Sequence, residues 1–178
     1  FEYKKRTELS IDEYKIIDQC AKDLGIDWFA SAWDVPSQVL MRQFNSPINK
    51  VASAMITHLS LLTEIAAEGK PTFISTGMST LEQVDTAVQA FRRLDCPFVL
   101  MHTVSSYPAR DSDLNLKVMK TLEDRYGCAI GYSGHETTVS PSVAAAAMGA
   151  VAVERHITLD RTSWGTDQAA SLETAGFT

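Results

Sequence analysis

Gly131-Tyr132-Ser133-Gly134-His135-Glu136, an alanine-rich segment, and then Val151-Ala152-Val153-Glu154-Arg155-His156-Ile157-Thr158-Leu159-Asp160 make up the stretch from which the fold can be read. Each histidine closes a short apolar run that itself follows a turn signal, which is where a buried strand leaves the core. The segment between them opens on Ser140-Pro141, an N-cap with proline at the first helical position, and stops at Gly149. Strand, helix and strand form a βαβ unit, so His135 and His156 should leave a parallel sheet at one edge. A single histidine there is most simply a hydrogen-bonded structural residue, whereas two imidazoles at one rim could hold a divalent metal.

The same rhythm extends outward along the chain. Ser10-Ile11-Asp12-Glu13 is a capping box, and its helix carries Ile11, Tyr14, Ile17, Ala21 and Leu24 on one face before Gly25 stops it. Ile26–Trp33 reads as a strand, Pro36-Ser37 enters a short helix, and Ile48–Ser53 reads as the next strand. A helix through Leu59, Leu62 and Ile65 closes at Gly69, and Pro71–Thr76 is a third strand. Ser79-Thr80-Leu81-Glu82 reads as a second capping box, opening a helix through Val84, Ala87, Val88 and Phe91. Pro97–Thr103 is a fourth strand, followed by the polar loop Val104-Ser105-Ser106-Tyr107-Pro108 and a helix around Leu116, Met119 and Leu122. Ala129–Tyr132 and Ala150–Glu154 are strands five and six. Six strands alternating with helices predict a parallel α/β fold, and apolar rather than alternating strands fit a sheet covered on both faces.

Composition narrows the function. In 178 residues, 16 Lys and Arg against 22 Asp and Glu leave a net charge of −6, with no footprint for nucleic acid or an anionic membrane. An anionic small molecule remains compatible, because a few local lysines and backbone N–H groups suffice for a phosphate. No apolar run is long enough to span a membrane, and no signal-peptide pattern opens the chain. Cys20, Cys96 and Cys128 are widely spaced and odd in number, which fits reduced thiols and a cytoplasmic location. Neither a GxGxxG after the first strand nor a Walker-type loop is present. The chain starts at Phe1 and stops at Thr178 without a recognisable terminus, as expected of a piece of a longer protein.

Ser31, Ser53, Ser75, Ser105, Ser133 and His156 fall near successive strand ends. One such serine is ordinary turn chemistry. Recurring around the fold, they suggest a ring of hydroxyls at the mouth of a barrel, of which six strands are too few to close the usual eight.

Lys50-Val51-Ala52-Ser53, Ser75-Thr76-Gly77-Met78-Ser79, Ser105-Ser106-Tyr107-Pro108, the two histidine strings and Ala170-Ser171-Leu172-Glu173 together resemble the sialic acid synthase family, which makes N-acetylneuraminate and other nonulosonic acids. The resemblance runs from about Asp27 to Glu173. It implies a (β/α)8 TIM barrel, of which this chain would be a single partial domain, with about six of the eight βα units. The N-terminal strands, with a catalytic glutamate and a further lysine, would be missing, as would the C-terminal antifreeze-like domain that caps the partner's site in the family homodimer. The implied reaction condenses phosphoenolpyruvate with N-acetylmannosamine, its 6-phosphate or a related N-acetylated hexosamine and releases inorganic phosphate. It further implies a divalent metal, Mn²⁺ or Mg²⁺, on His135 and His156, polarising the sugar aldehyde so that the phosphoenolpyruvate methylene carbon can attack.

Lys50, Ser53, Ser75, Ser133 and, more loosely, Ser31 match the family's phosphate pocket, and a dianion does need one cation with several neutral donors. Ser105 stands where the family usually has an asparagine that binds the phosphoenolpyruvate carboxylate. Tyr107 and Asp167 match positions near the sugar's N-acetyl group and hydroxyls. Met55 replaces an acid that grips the sugar in many members, and Gln168 a common histidine. Other readings stay open: another phosphoenolpyruvate-dependent 3-deoxy-ulosonate synthase, a pyruvate aldolase, or an inactive barrel that binds sugar phosphates. Plain structural roles are also available. Lys50 in an apolar strand calls for an anionic partner, Tyr107 could brace the turn at Pro108, Glu154 and Asp160 could pair with Arg155, and Met78 and Ala144–Ala147 could simply pack.

Overall fold

The computed structural model describes residues 6–178. Five strands carry the fold: β1 (Asn49–Val51), β2 (Thr72–Ser75), β3 (Phe98–Thr103), β4 (Ile130–Gly134) and β5 (Val153–Arg155). They form one sheet in sequence order, and every neighbouring pair is parallel. Helices α1 (Ile11–Leu24) and α2 (Val35–Met41) come before the sheet. The crossovers are α3 (Leu59–Ala66), α4 (Leu81–Arg93), α5 (Val118–Tyr126) and α6 (Ser140–Ala147), and α7 (Thr174–Phe177) follows β5. A parallel sheet that never reverses its strand order is wound like a barrel and not like a dinucleotide-binding sheet.

The sheet is curled. Lys50 on β1 and Glu154 on β5 meet with Nζ and Oε2 2.7 Å apart. Four strand spacings separate β1 from β5, roughly 19 Å in a flat sheet, which is more than these side chains can bridge. The five strands therefore make an open half-barrel.

Strand periodicity divides the side chains between two faces. Val51, Ile74, Leu100 and Ile130 fall in one register row and are buried. They join Leu61, Leu62 and Ile65 of α3, Val84, Val88 and Phe91 of α4, Met119 and Leu122 of α5 and Ala145 of α6 in one hydrophobic core. Intervening positions, among them Lys50, Ser75, Met101, Ser133 and Glu154, take the concave side. Among the described residues no helix is long and apolar enough to cross a membrane.

Several expectations need correction. Ile26–Trp33 is not a strand, so the described residues hold five strands and not six. An extended apolar segment becomes a strand only when a neighbour takes its N–H and C=O groups, and β1 pairs with β2 alone among the described strands. The second capping box lies one residue later than expected. Thr80 caps α4, its hydroxyl accepting from the Gln83 N–H while the Gln83 side chain accepts from the Thr80 N–H. Ser140 is likewise the first residue of α6 and not its cap; Val139 holds the cap position with no side-chain bond. On α1 only Ala21 is buried, and Leu24 is 67% exposed. Tyr14 supplies the anchorage of that face, its ring centroid 6.0 Å from Trp28 and 5.9 Å from Phe44. Of Ala144–Ala147, only Ala145 is buried.

Candidate active site

The concave side opens, at the carboxyl ends of the strands, into a cavity of about 380 Å³. Lys50, Ser53, Ser75, Ser133, Ser105, Ser31, Tyr107, His135 and His156 all line it, so the residues selected from sequence converge. Asp167 stands outside the lining, its Oδ2 3.7 Å from His156 Nδ1. A second cavity of about 490 Å³ on the concave side is lined mainly by apolar groups, including Phe29, Phe73, Met101 and Phe177, and lacks both the serines and the histidines.

One end of the first cavity gathers a lysine and several hydroxyls. Lys50 Nζ donates to Ser75 Oγ at 2.6 Å and pairs with Glu154, and the Ser133 hydroxyl donates to Glu154 Oε1 at 3.0 Å. Burial pushes the Lys50 pKa down, while the Glu154 carboxylate opposes that shift. Ser53 is held at the start of a short turn, its Oγ accepting from the Gly77 N–H at 3.1 Å. Gly77 has to lack a side chain, because a Cβ there would lie 2.2 Å from Ser105 Oγ and 2.9 Å from Ser53 Oγ. One cation and several hydroxyls on rigid strand ends form a donor set suited to a phosphate or carboxylate.

The other end holds the two imidazoles, with ring centroids 5.2 Å apart. His135 Nδ1 donates to the Val104 carbonyl at 2.7 Å. A carbonyl can only accept, so Nδ1 carries the proton and the Nε2 lone pair is left available. Burial lowers the His135 pKa; the Val104 bond opposes that shift and the His156 charge adds to it. Tyr107 lies over the pair, 4.1 Å from the His135 ring and edge-on to His156 at 5.6 Å. Burial, followed by the charges of Asp167 and Glu154, raises the pKa of its phenol, which stays a donor. Among the described residues no group of three or more His, Cys, Asp and Glu is arranged to hold a metal. An ion on these imidazoles would therefore keep open positions for water or substrate oxygens.

Three residues of the site escaped sequence reasoning. Glu154, expected beside Arg155, instead neutralises Lys50, and Arg155 pairs with Glu136 at 2.9 Å. Strand alternation from His156 would have found it, since position 154 shares the inward face with 156. Trp33 lines the mouth from the segment misread as a strand. Met78, expected to pack, lies at the mouth 72% exposed with φ of 57°. Met55, which stands where the resemblance puts a sugar-gripping acid, packs against the core, and its neighbour Ala54 lines the cavity. Asp160 caps its own turn by accepting from the Thr162 N–H at 2.8 Å.

A curled parallel sheet with its polar groups gathered at the strand carboxyl ends defines a barrel-type α/β protein whose site lies at that rim. The chain belongs to the NeuB family, which it matches over residues 1–178. It is 38% identical over 173 residues to N-acetylneuraminate-9-phosphate synthase of Mus musculus, covering 97% of this chain and 48% of that protein. With N,N'-diacetyllegionaminic acid synthase of Legionella pneumophila it shares 33% identity over 178 residues, or 97% of this chain and 50% of the relative. Among solved structures, the N-acetylneuraminic acid (sialic acid) synthetase of Leptospira borgpetersenii in complex with citrate matches with a TM-score of 0.93 at 34% identity, covering 97% of this chain and 60% of that one. The chain thus spans about half the length of the curated relatives it matches.

Proposed function

We propose that the protein carrying this chain is a phosphoenolpyruvate-dependent nonulosonate synthase, joining phosphoenolpyruvate to an N-acetylated hexosamine such as N-acetylmannosamine or its 6-phosphate, with release of phosphate. The observation that carries this reading is a single cavity holding the Lys50–serine anion cluster at one end and the paired imidazoles at the other, in a chain of the NeuB family. In this reading the rest of the protein completes an eight-stranded barrel and the active form is a homodimer. A cytoplasmic location fits the free cysteines.

His135 and His156 would hold a divalent ion, Mn²⁺ or Mg²⁺, and the available Nε2 lone pair of His135 fits that role. Such an ion supplies Lewis-acid polarisation of an aldehyde oxygen. Lys50 places a point charge against the phosphate, and Ser53, Ser75, Ser133 and Ser31 donate to its oxygens. Ser105 donates to the neighbouring carboxylate. Tyr107, covering the imidazoles with its phenol protonated, orients the sugar and limits access of water; Asp167 at the rim accepts from sugar hydroxyls.

Phosphate release tests the proposal directly. The full-length protein is supplied with phosphoenolpyruvate, Mn²⁺ and either sugar, with His135→Ala as control. Release that needs both sugar and metal and disappears in the variant is expected. Intact Mn²⁺ binding without release from either sugar would point instead to a barrel that binds without turnover.

A further inference from the structure

We propose that the buried Glu136–Arg155 pair is a strut that sets the spacing of His135 and His156, making both of its members positioning residues. Its consequence for metal binding rests on the function proposed above, while the spacing itself belongs to the metal-free chain. The β4–β5 ladder has its last registered pair at Gly134↔Arg155. His135 and His156 are each the next residue in the chain, so the ladder does not hold the point from which either imidazole projects. The His135 carbonyl accepts from the Ala109 N–H at 2.9 Å and the His156 carbonyl from the Leu172 N–H at 2.8 Å, which ties each strand end to a separate segment and not to the other.

The contact that joins the two ends to each other is the buried ion pair. Glu136 follows His135 and Arg155 precedes His156, and strand alternation sends both side chains away from the cavity, where they are 0% and 3% exposed. Arg155 Nη1 lies 2.9 Å from Glu136 Oε1, and Tyr132 donates its hydroxyl to Glu136 Oε2 at 2.8 Å. The guanidinium also donates to the backbone carbonyl of Glu136, to the Thr138 carbonyl at 2.8 Å and to Ser142 Oγ at 2.9 Å. One side chain of β5 thereby grips the turn leaving His135 at several points. Gly134 makes room for it, since a Cβ there would lie 2.7 Å from both carboxylate oxygens of Glu136.

Stability does not account for this arrangement. Arg155 Nε has no hydrogen-bond partner, and Glu136 Oε1 has only the undirected contact with Nη1. Replacing a buried ion pair by an apolar pair of similar volume is often neutral for stability, so in this proposal what the pair supplies is registry. The His135 Nδ1–Val104 bond orients one ring; the strut fixes how far apart the two rings stand.

Two readouts on the full-length protein test this. The double variant Glu136→Leu/Arg155→Met removes both charges and keeps the volume, and Arg155→Lys keeps the charge but loses the fork. In the metal-free protein, the ring resonances of His135 and His156, which lie beside the Tyr107 ring, are expected to shift in both variants. Co²⁺ affinity should fall about 10–100-fold with a changed visible spectrum, while the double variant melts near the wild-type temperature. Unchanged ring resonances in either folded variant would overturn the strut. Co²⁺ binding that survives His135→Ala would instead overturn the metal-site reading, and the metal-free resonances would still decide the strut.

Discussion

Glu154 and Arg155 are neighbours in β5, yet their ion pairs face opposite sides of the sheet. Glu154 meets Lys50 across the cavity, with the Glu154 side chain 39% exposed. Arg155 meets Glu136 behind the rim, where both side chains are sealed from water. The open pair leaves its lysine and the Ser133 hydroxyl in reach of an arriving anion, while the sealed pair commits its donors to carbonyls of the turn after His135. Strand alternation alone thus sends one of two adjacent charged residues to the cavity and the other behind the rim.

Breaking each pair sharpens the contrast, starting with the sealed one. Arg155→Met leaves the Glu136 charge buried and uncompensated, and should cost about 3–5 kcal/mol in urea unfolding. A loss below about 1 kcal/mol would erase the distinction between the pairs. In the open pair, Lys50→Met should leave stability nearly untouched because Glu154 can turn to water. On the function proposed above, its effect should fall on phosphoenolpyruvate binding, where losing a charged donor is worth about 1.5–3 kcal/mol, or roughly 10- to 150-fold in affinity. Calorimetric titration reads this, and wild-type affinity in the variant would remove Lys50 from the anion seat.

Ser133→Ala is a gentler probe of the same seat. Losing one neutral hydroxyl should weaken phosphate binding by about 1 kcal/mol, roughly fivefold, with no change in the urea midpoint. Tighter binding would instead mean that Ser133 serves only to hold Glu154.

The smallest effect lies outside both pairs. His102 is buried in β3 with Nε2 donating to the Leu114 carbonyl at 2.7 Å, and burial lowers its pKa below 6.5 while that bond opposes the shift. The unfolded chain then binds the extra proton first, so this contribution to stability is complete above about pH 6.5 and declines as pH falls toward the folded value. Between pH 7 and 6 the loss should be under about 1 kcal/mol, and His102→Gln should flatten that slope in denaturation curves. An equally steep slope in the variant would assign it to other groups.

Reading the site from sequence worked where the signal was local. Gly-His-Glu and Glu-Arg-His at strand ends placed both imidazoles, and a lysine inside an apolar strand called for the partner it has in Glu154. It failed where a neighbour decides the outcome. Ile26–Trp33 has the pattern of a strand but no adjacent strand to bond, and the apolar face of α1 is real but largely uncovered among the described residues. Strand alternation places Glu154 on the face opposite Arg155, but that Arg155 then meets Glu136 depends on the neighbouring strand.

By itself, the sequence determined the parallel α/β winding, the strand ends near which the histidines and the serines other than Ser31 emerge, and the lysine among them. Those follow from periodicity, caps and turn residues, which act over a few positions along the chain. The curl of the sheet, the meeting of Lys50 with Glu154 across it and the Glu136–Arg155 contact behind the histidines were decided only by the tertiary structure. Each depends on distances between strands far apart in sequence, which packing against the helices sets and no local pattern encodes.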